Sequence, residues 1–177
     1  MRFLMRVSAL AFLWVFIAEA EIVDSSSHGF TVRDTIIIAQ LPLNVYEHIV
    51  KDVGKWWNSA HTWSGKSGNL SIDDRAGGCF CEKLEHGGSV RHMEVVFTAP
   101  GSTLRLVGGI GPLQAMAVTG TMTWTLSKSD KGTRIEVTYT VGGYHPGGLA
   151  FLAKPVDGVL LEQMTRLKAF IEKGKPD

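Results

Sequence analysis

The chain has 177 residues, a single-domain length, with 45% apolar and 20% charged residues. That balance excludes a disordered chain, a collagen-like repeat and a disulfide-dense miniprotein. A formal charge of +1 gives no electrostatic footprint for nucleic acid, while 20 Gly against 6 Pro fits turn-rich β structure better than a helical bundle.

In chain order, residues 1–20 read as an export signal. Arg2 and Arg6 precede an apolar run from Val7 to Ala18 broken only by Ser8, and Ala18-Glu19-Ala20 has the small-x-small form of a cleavage site. The run is short for a membrane span, which needs about 20 apolar residues, so no stable membrane anchor is expected after cleavage. Removing residues 1–20 takes away two Arg and one Glu and leaves the chain formally neutral. Residues 21–29 are polar and Ser-rich and read as a flexible lead. One domain is expected over 30–174.

Phe30 to Leu41 carries the strand signal Ile36-Ile37-Ile38. Pro42 opens a helix with Val45, Ile49 and Val53 on one face and Gly54 as its stop. A second short helix carries Trp56 and Trp57. Six strands are predicted near 70–74, 79–85, 90–98, 103–110, 117–127 and 133–142, separated by Gly-containing turns. A long amphipathic helix follows from about Gly148 to Lys173, kinked at Pro155 and ended by Gly174.

Hairpin arithmetic assigns faces. A turn at Gly87-Gly88 sets Met93 against Glu82, and one at Pro100-Gly101 sets Leu106 against Val95. A turn over Ser129 to Gly132 puts Trp124 opposite Val137 and Met122 opposite Tyr139. Directly opposed residues share a face. One face then holds Phe80, Glu82, Leu84, Arg91, Met93, Val95, Phe97, Leu104, Leu106 and Gly108. The other holds Cys79, Cys81, Lys83, His92, Glu94, Arg105 and Val107. In a strand the two cysteines would have Cα atoms roughly 6.6 Å apart, the outer limit for a disulfide, so they read as strand thiols. The fold class is α+β: a curved antiparallel sheet of about seven strands wrapped on a long C-terminal helix, with two short helices after strand 1. Gly108, Gly120 and Gly158 would remove bulk between sheet and helix and leave a pocket of the kind that takes small molecules.

The order of elements resembles the START-like, or SRPBCC, superfamily with its helix-grip fold. The stretches Arg75-Ala-Gly-Gly-Cys-Phe-Cys-Glu82, Val90-Arg-His-Met93, Gly109-Ile-Gly-Pro-Leu113, Val118-Thr-Gly-Thr-Met-Thr-Trp124 and Gly142-Gly-Tyr-His-Pro-Gly-Gly148 are similar to the polyketide cyclase/dehydrase-like branch. The resemblance covers roughly residues 30–172. It implies a cavity between sheet and helix that serves an exported carrier of a small hydrophobic molecule or an enzyme of cyclase, dehydratase or hydrolase type, or else a core filled by its own side chains in an interaction module, and fold analogy does not choose among these.

Glu82 is the candidate catalytic or anchoring group: a carboxylate on an apolar face acts as a general acid/base or a polar anchor, or else forms a structural ion pair with Arg91. In the resembled fold Trp56, Trp57 and Trp63, with His61 among them, border the cavity mouth, with one of the two adjacent Trp packed in the core. Met93, Met122, Trp124 and Tyr139 are wall candidates, or plain core. Tyr144, with His145, either closes the pocket or belongs to a turn. His92 is aimed at the outer face. No P-loop, dinucleotide Gly fingerprint, HExxH or G-x-S-x-G elbow occurs, so neither cofactor nor metal is expected. The partner expected is a small hydrophobic molecule, met in the periplasm or outside the cell, with no nucleic acid.

Overall fold

The computed structural model describes residues 19–177; most of the expected export signal lies outside the described residues. Eight antiparallel strands form one sheet: β1 (Glu19–Ser25), β2 (Gly29–Ile38), β3 (Leu70–Ile72), β4 (Cys79–Lys83), β5 (Ser89–Ala99), β6 (Thr103–Val107), β7 (Ala117–Ser129) and β8 (Gly132–Tyr144). Their order in space is β1-β2-β8-β7-β6-β5-β4-β3. Two short helices, α1 (Pro42–Lys51) and α2 (Val53–Trp56), follow β2, and α3 (Ala153–Lys173) ends the fold. This is the expected α+β helix-grip arrangement.

Strand alternation is clean in β2, whose burial follows a period of two. Phe30, Val32, Ile36 and Ile38 face inward, and β7 and β8 add Met122, Trp124, Ile135, Val137 and Tyr139. From α3, Leu160, Met164 and Leu167 complete the core against them. The sequence-predicted pairs Trp124 with Val137 and Met122 with Tyr139 are present.

Several expectations are corrected. The lead does not stand free: β1 pairs with β2 through Ser25, because the β-branched Ile22-Val23 suits a strand and β2 otherwise presents an unpaired edge. The long helix begins at Ala153, after a 3-10 turn over Ala150–Leu152. Pro155 therefore sits in the first turn, where it has no intrahelical N–H bond to lose. Gly174 does stop the helix, in the left-handed conformation at φ 79°.

Face assignment fails in β5. A 3-10 turn over Glu85–Gly87 lengthens the β4–β5 connection, so Glu82 opposes Val90, not Met93. A bulge then shifts the register between the Cys81–Arg91 and Phe80–Met93 pairs, leaving His92 as the extra residue. His92 and Met93 are both buried, while Arg91 is exposed on the outer face beside Glu94 at 3.2 Å. A second shift between Val95 and Phe97 turns Phe97 outward. At the first bulge the Cα atoms of Cys79 and Cys81 approach to 5.4 Å, and the two form a disulfide, not a pair of free thiols.

Gly108 and Gly120 do not open a void. A Cβ on Gly120 would meet the Tyr139 ring at 2.5 Å, and one on Gly108 would meet the β5 backbone.

Candidate functional site

A cavity of about 340 Å³ lies where sheet and α3 part. Leu152, Pro155, Val156, Val159 and Leu160 form its helical wall. Phe80 and His92 form the sheet wall, Ile110–Leu113 the roof, and Trp57 with Ala60–Trp63 the remaining side. The lining is mostly apolar with few polar groups, as small-molecule sites are. Val156 and Leu160 are four apart in α3 and share one face of it, and Leu152 precedes them at the end of the 3-10 turn.

Behind the wall lies a buried acid–base pair. The Glu82 side chain is fully buried and that of His92 is 4% exposed. Glu82 Oε1 accepts from the Ser64 N–H at 2.5 Å. Its Oε2 accepts from the Trp63 N–H at 3.1 Å and from His92 Nε2 at 2.9 Å. Burial opposes the charge, but the bonds from Ser64, Trp63 and His92 outweigh it and hold the carboxyl below its ordinary range. An ionised carboxylate accepts only. The proton of the His92 ring is therefore on Nε2. Burial also holds the ring below the usual His range, against the pull of Glu82. The neutral ring thus keeps a bare lone pair on Nδ1, which is buried and has no protein partner. Phe80 packs on that ring with centroids 5.0 Å apart.

A second His–carboxylate pair stands at the cavity edge. His61 Nε2 lies 2.9 Å from Glu162 Oε2, both part-exposed. Asn58 Nδ2 donates to the other Glu162 oxygen. That bond, and the one from His61, hold Glu162 below its usual range although burial opposes it. Among the described residues no group of three His, Cys, Asp or Glu could hold a metal ion.

The residues expected at the site separate as follows. Trp57 and Trp63 line the cavity, Trp57 buried and Trp63 54% exposed. Glu82 is buried on the inner face, one residue back from the cavity surface, with His92 between. Arg91 is excluded by its outward face, and its place beside Glu82 is taken by His92. Trp56, Met93, Met122 and Trp124 pack in the core and do not line the cavity. Tyr139 is buried; its hydroxyl donates to Gly108 O at 2.8 Å and accepts from the Ile110 N–H at 3.3 Å, tying the roof to the sheet. Tyr144 is 70% exposed and does not line the cavity. Sequence reasoning missed His92, which the longer β4–β5 turn brings to the inner face. It also missed Glu162, which carries no motif.

Solved structures share this architecture. A protein from Rhizobium leguminosarum superposes with a TM-score of 0.61 at 14% identity, over 89% of this chain and 99% of that one. CalU16 from Micromonospora echinospora gives 0.57 at 14% identity, over 90% of this chain and 86% of that one. DynU16, a protein in the dynemicin biosynthetic locus, gives 0.57 at 19% identity, over 82% of this chain and 48% of that one. At these identities the likeness is one of fold. No protein-family model and no curated relative matches the chain.

Proposed function

We propose that this protein is an exported carrier or sensor of a small, mostly apolar molecule that bears one hydrogen-bond donor, a hydroxyl or N–H. The observation that carries the reading is an apolar cavity of about 340 Å³ whose wall includes His92, with Nδ1 unpartnered and the ring fixed by Glu82. A buried acceptor without a partner costs about 1–3 kcal/mol. Nδ1 is closed off from the cavity as it stands, so a guest donor recovers that energy where the wall yields to admit it, while the apolar walls supply the bulk of the affinity. The shared fold with CalU16 and DynU16 fits the START-like resemblance of the sequence, and the dynemicin-locus setting of DynU16 suits a small biosynthetic guest.

The guest preference is tested with 2-naphthol and naphthalene as probes, titrated by intrinsic Trp fluorescence. Naphthol is expected to bind roughly tenfold tighter, the worth of one hydrogen bond, and His92→Phe to erase the difference. Equal affinity for both probes in the wild type overturns the reading. Native mass spectrometry of protein from its host reports any co-purifying guest.

A second reading is favoured by the same dyad. A neutral imidazole oriented by a carboxylate is the arrangement of a general base. In a cyclase, dehydratase or hydrolase His92 would take the proton and Glu82 would position it. His92→Phe distinguishes the two: a carrier loses only the roughly tenfold preference for the donor-bearing probe, whereas an enzyme still binds but loses turnover by roughly 10²–10⁴-fold.

A further inference from the structure

Asp34 stands on the inner face of β2, wholly buried, and neither oxygen of its carboxyl has a partner. The titratable group facing it from α3 is Asp157, whose Oδ1 is also buried and unpaired. Across the sheet β8 sets Val137 beside it, and Val32 and Ile36 flank it along β2. Arg33, one residue along, belongs to the outer face, where it lies 3.7 Å from Glu21 and 4.0 Å from Glu136. Burial, and then the charge of Asp157, push Asp34 up to about 7. Two acids face each other, Asp34 wholly buried and Asp157 half-buried, and among the described residues neither has an ion-pair partner.

The strand register brings one within reach. Asp34 pairs with Ala20 and Arg33 pairs with Glu21 across β1 and β2. The peptide bond between Ala20 and Glu21 therefore lies beside Asp34 in the ladder. It is also the bond that follows Ala18-Glu19-Ala20, the small-x-small pattern at the end of the apolar leader. Hydrolysis of that bond consumes one water. The C–N bond breaks, Ala20 leaves with a carboxylate, and the Glu21 nitrogen becomes an ammonium. The Glu21 side chain keeps its contact with Arg33, and Ile22 keeps its pairing with Val32, so the new terminus stays at this rung.

We propose that a leader peptidase cuts the chain between Ala20 and Glu21, and that the ammonium of Glu21 becomes the ion-pair partner of Asp34, closing the seam between β1, β2 and α3. Processing and folding are thereby linked: the unprocessed chain carries an unpaired buried acid that the processed chain neutralises. This inference stands apart from the cavity and its guest.

The test begins with the N-terminus of the exported protein, read by mass spectrometry from its own host; Glu21 is expected, and any other first residue overturns the proposal. Two chains are then compared, one starting at Glu21 and one at Ala18. In the Glu21 chain the α-amine, isotopically methylated and followed by NMR, is expected to titrate above its ordinary value of about 7.7–8.0. Asp34→Asn is expected to return it there. An α-amine at its ordinary value, unmoved by Asp34→Asn, shows that water solvates Asp34 instead and overturns the pairing. If Asp34→Asn does not fold, the wild-type titration alone decides. The urea midpoint of the Ala18 chain should fall as pH rises from about 4 to about 7, because an acid raised on folding loses its advantage through that window. The Glu21 chain, relative to it, should lose that decline. Identical pH profiles also overturn the proposal.

Discussion

His92 Nε2 meets Glu82 Oε2 at 2.9 Å although the two residues sit on adjacent strands in no direct register. The longer β4–β5 turn makes the contact: it shifts the register so that Val90 shares the inner face with Glu82, alternation then turns His92 inward, and the bulge that follows lets Met93 face inward too. Three donors, from His92, Trp63 and Ser64, then converge on one carboxylate.

Glu82→Gln keeps the shape but offers one acceptor oxygen and two unwanted donors to that convergence. At least one backbone N–H loses its partner. The expected loss is about 1–3 kcal/mol of stability, read from urea unfolding. A midpoint equal to that of the wild type would show that the three bonds contribute nothing net.

The pair also sets a pH dependence. His92 is held below its ordinary value of 6.5, so the unfolded chain takes up a proton before the folded one does. Its contribution is complete above about 6.5 and declines as pH falls below that value. Glu82 is held low, so its contribution is lost only as pH falls further, through its folded value. The stability difference between wild type and His92→Phe should therefore shrink between about pH 7 and pH 5. A difference that is flat across that range contradicts a neutral buried ring.

Filling the cavity should block the guest without harming the fold. Val159→Phe adds bulk from the α3 wall into open space. Affinity for 2-naphthol should fall at least roughly tenfold, since lost apolar contact exceeds 1.4 kcal/mol, with an unchanged circular dichroism spectrum. Unchanged affinity would place the guest elsewhere.

Gly120→Ala should be costly for a different reason. The added Cβ meets the Tyr139 ring at 2.5 Å and Thr140 O at 2.8 Å. Tyr139 cannot move without releasing Gly108 O and the Ile110 N–H. A loss of about 1–3 kcal/mol is expected, measured by thermal or urea unfolding.

The Cys79–Cys81 bridge closes a very short loop, so its chain-entropy effect is small. Reduction, or the double change to Ser, should cost no more than about 1–2 kcal/mol. Urea midpoints with and without a thiol reductant measure it. A larger loss would mean that the bridge maintains the neighbouring bulge, and with it the position of His92.

Sequence carried the helix-grip plan because it rests on periodicity. The β7–β8 hairpin turns tightly at Ser129 to Gly132, so counting outward from the turn reaches the correct pairs, Trp124 with Val137 and Met122 with Tyr139. The site was less legible. The burial of Glu82 followed from its strand position, but its partner did not. Bulges depend on how sharply the whole sheet must curve, which no local pattern in Val90-Arg-His-Met93 records. The longer turn over Glu85–Gly87 was enough to exchange Arg91 for His92, and the bulge then returned Met93 to the inner face. The edge strand β1 was missed for a related reason: the demand of β2 for a neighbour is a property of the sheet, and the Ser-rich segment does not announce it.

The carboxylate of Glu82 fastens the Trp63–Ser64 segment to the sheet with one oxygen each and also dictates which nitrogen of His92 stays bare. Architecture and chemistry here draw on the same three atoms of one side-chain head. A descendant of this chain that acquired a new guest could therefore redraw the greasy walls freely, one residue at a time, yet position 82 would be closed to gradual drift, since any replacement there unmoors a loop and scrambles a proton address in the same step.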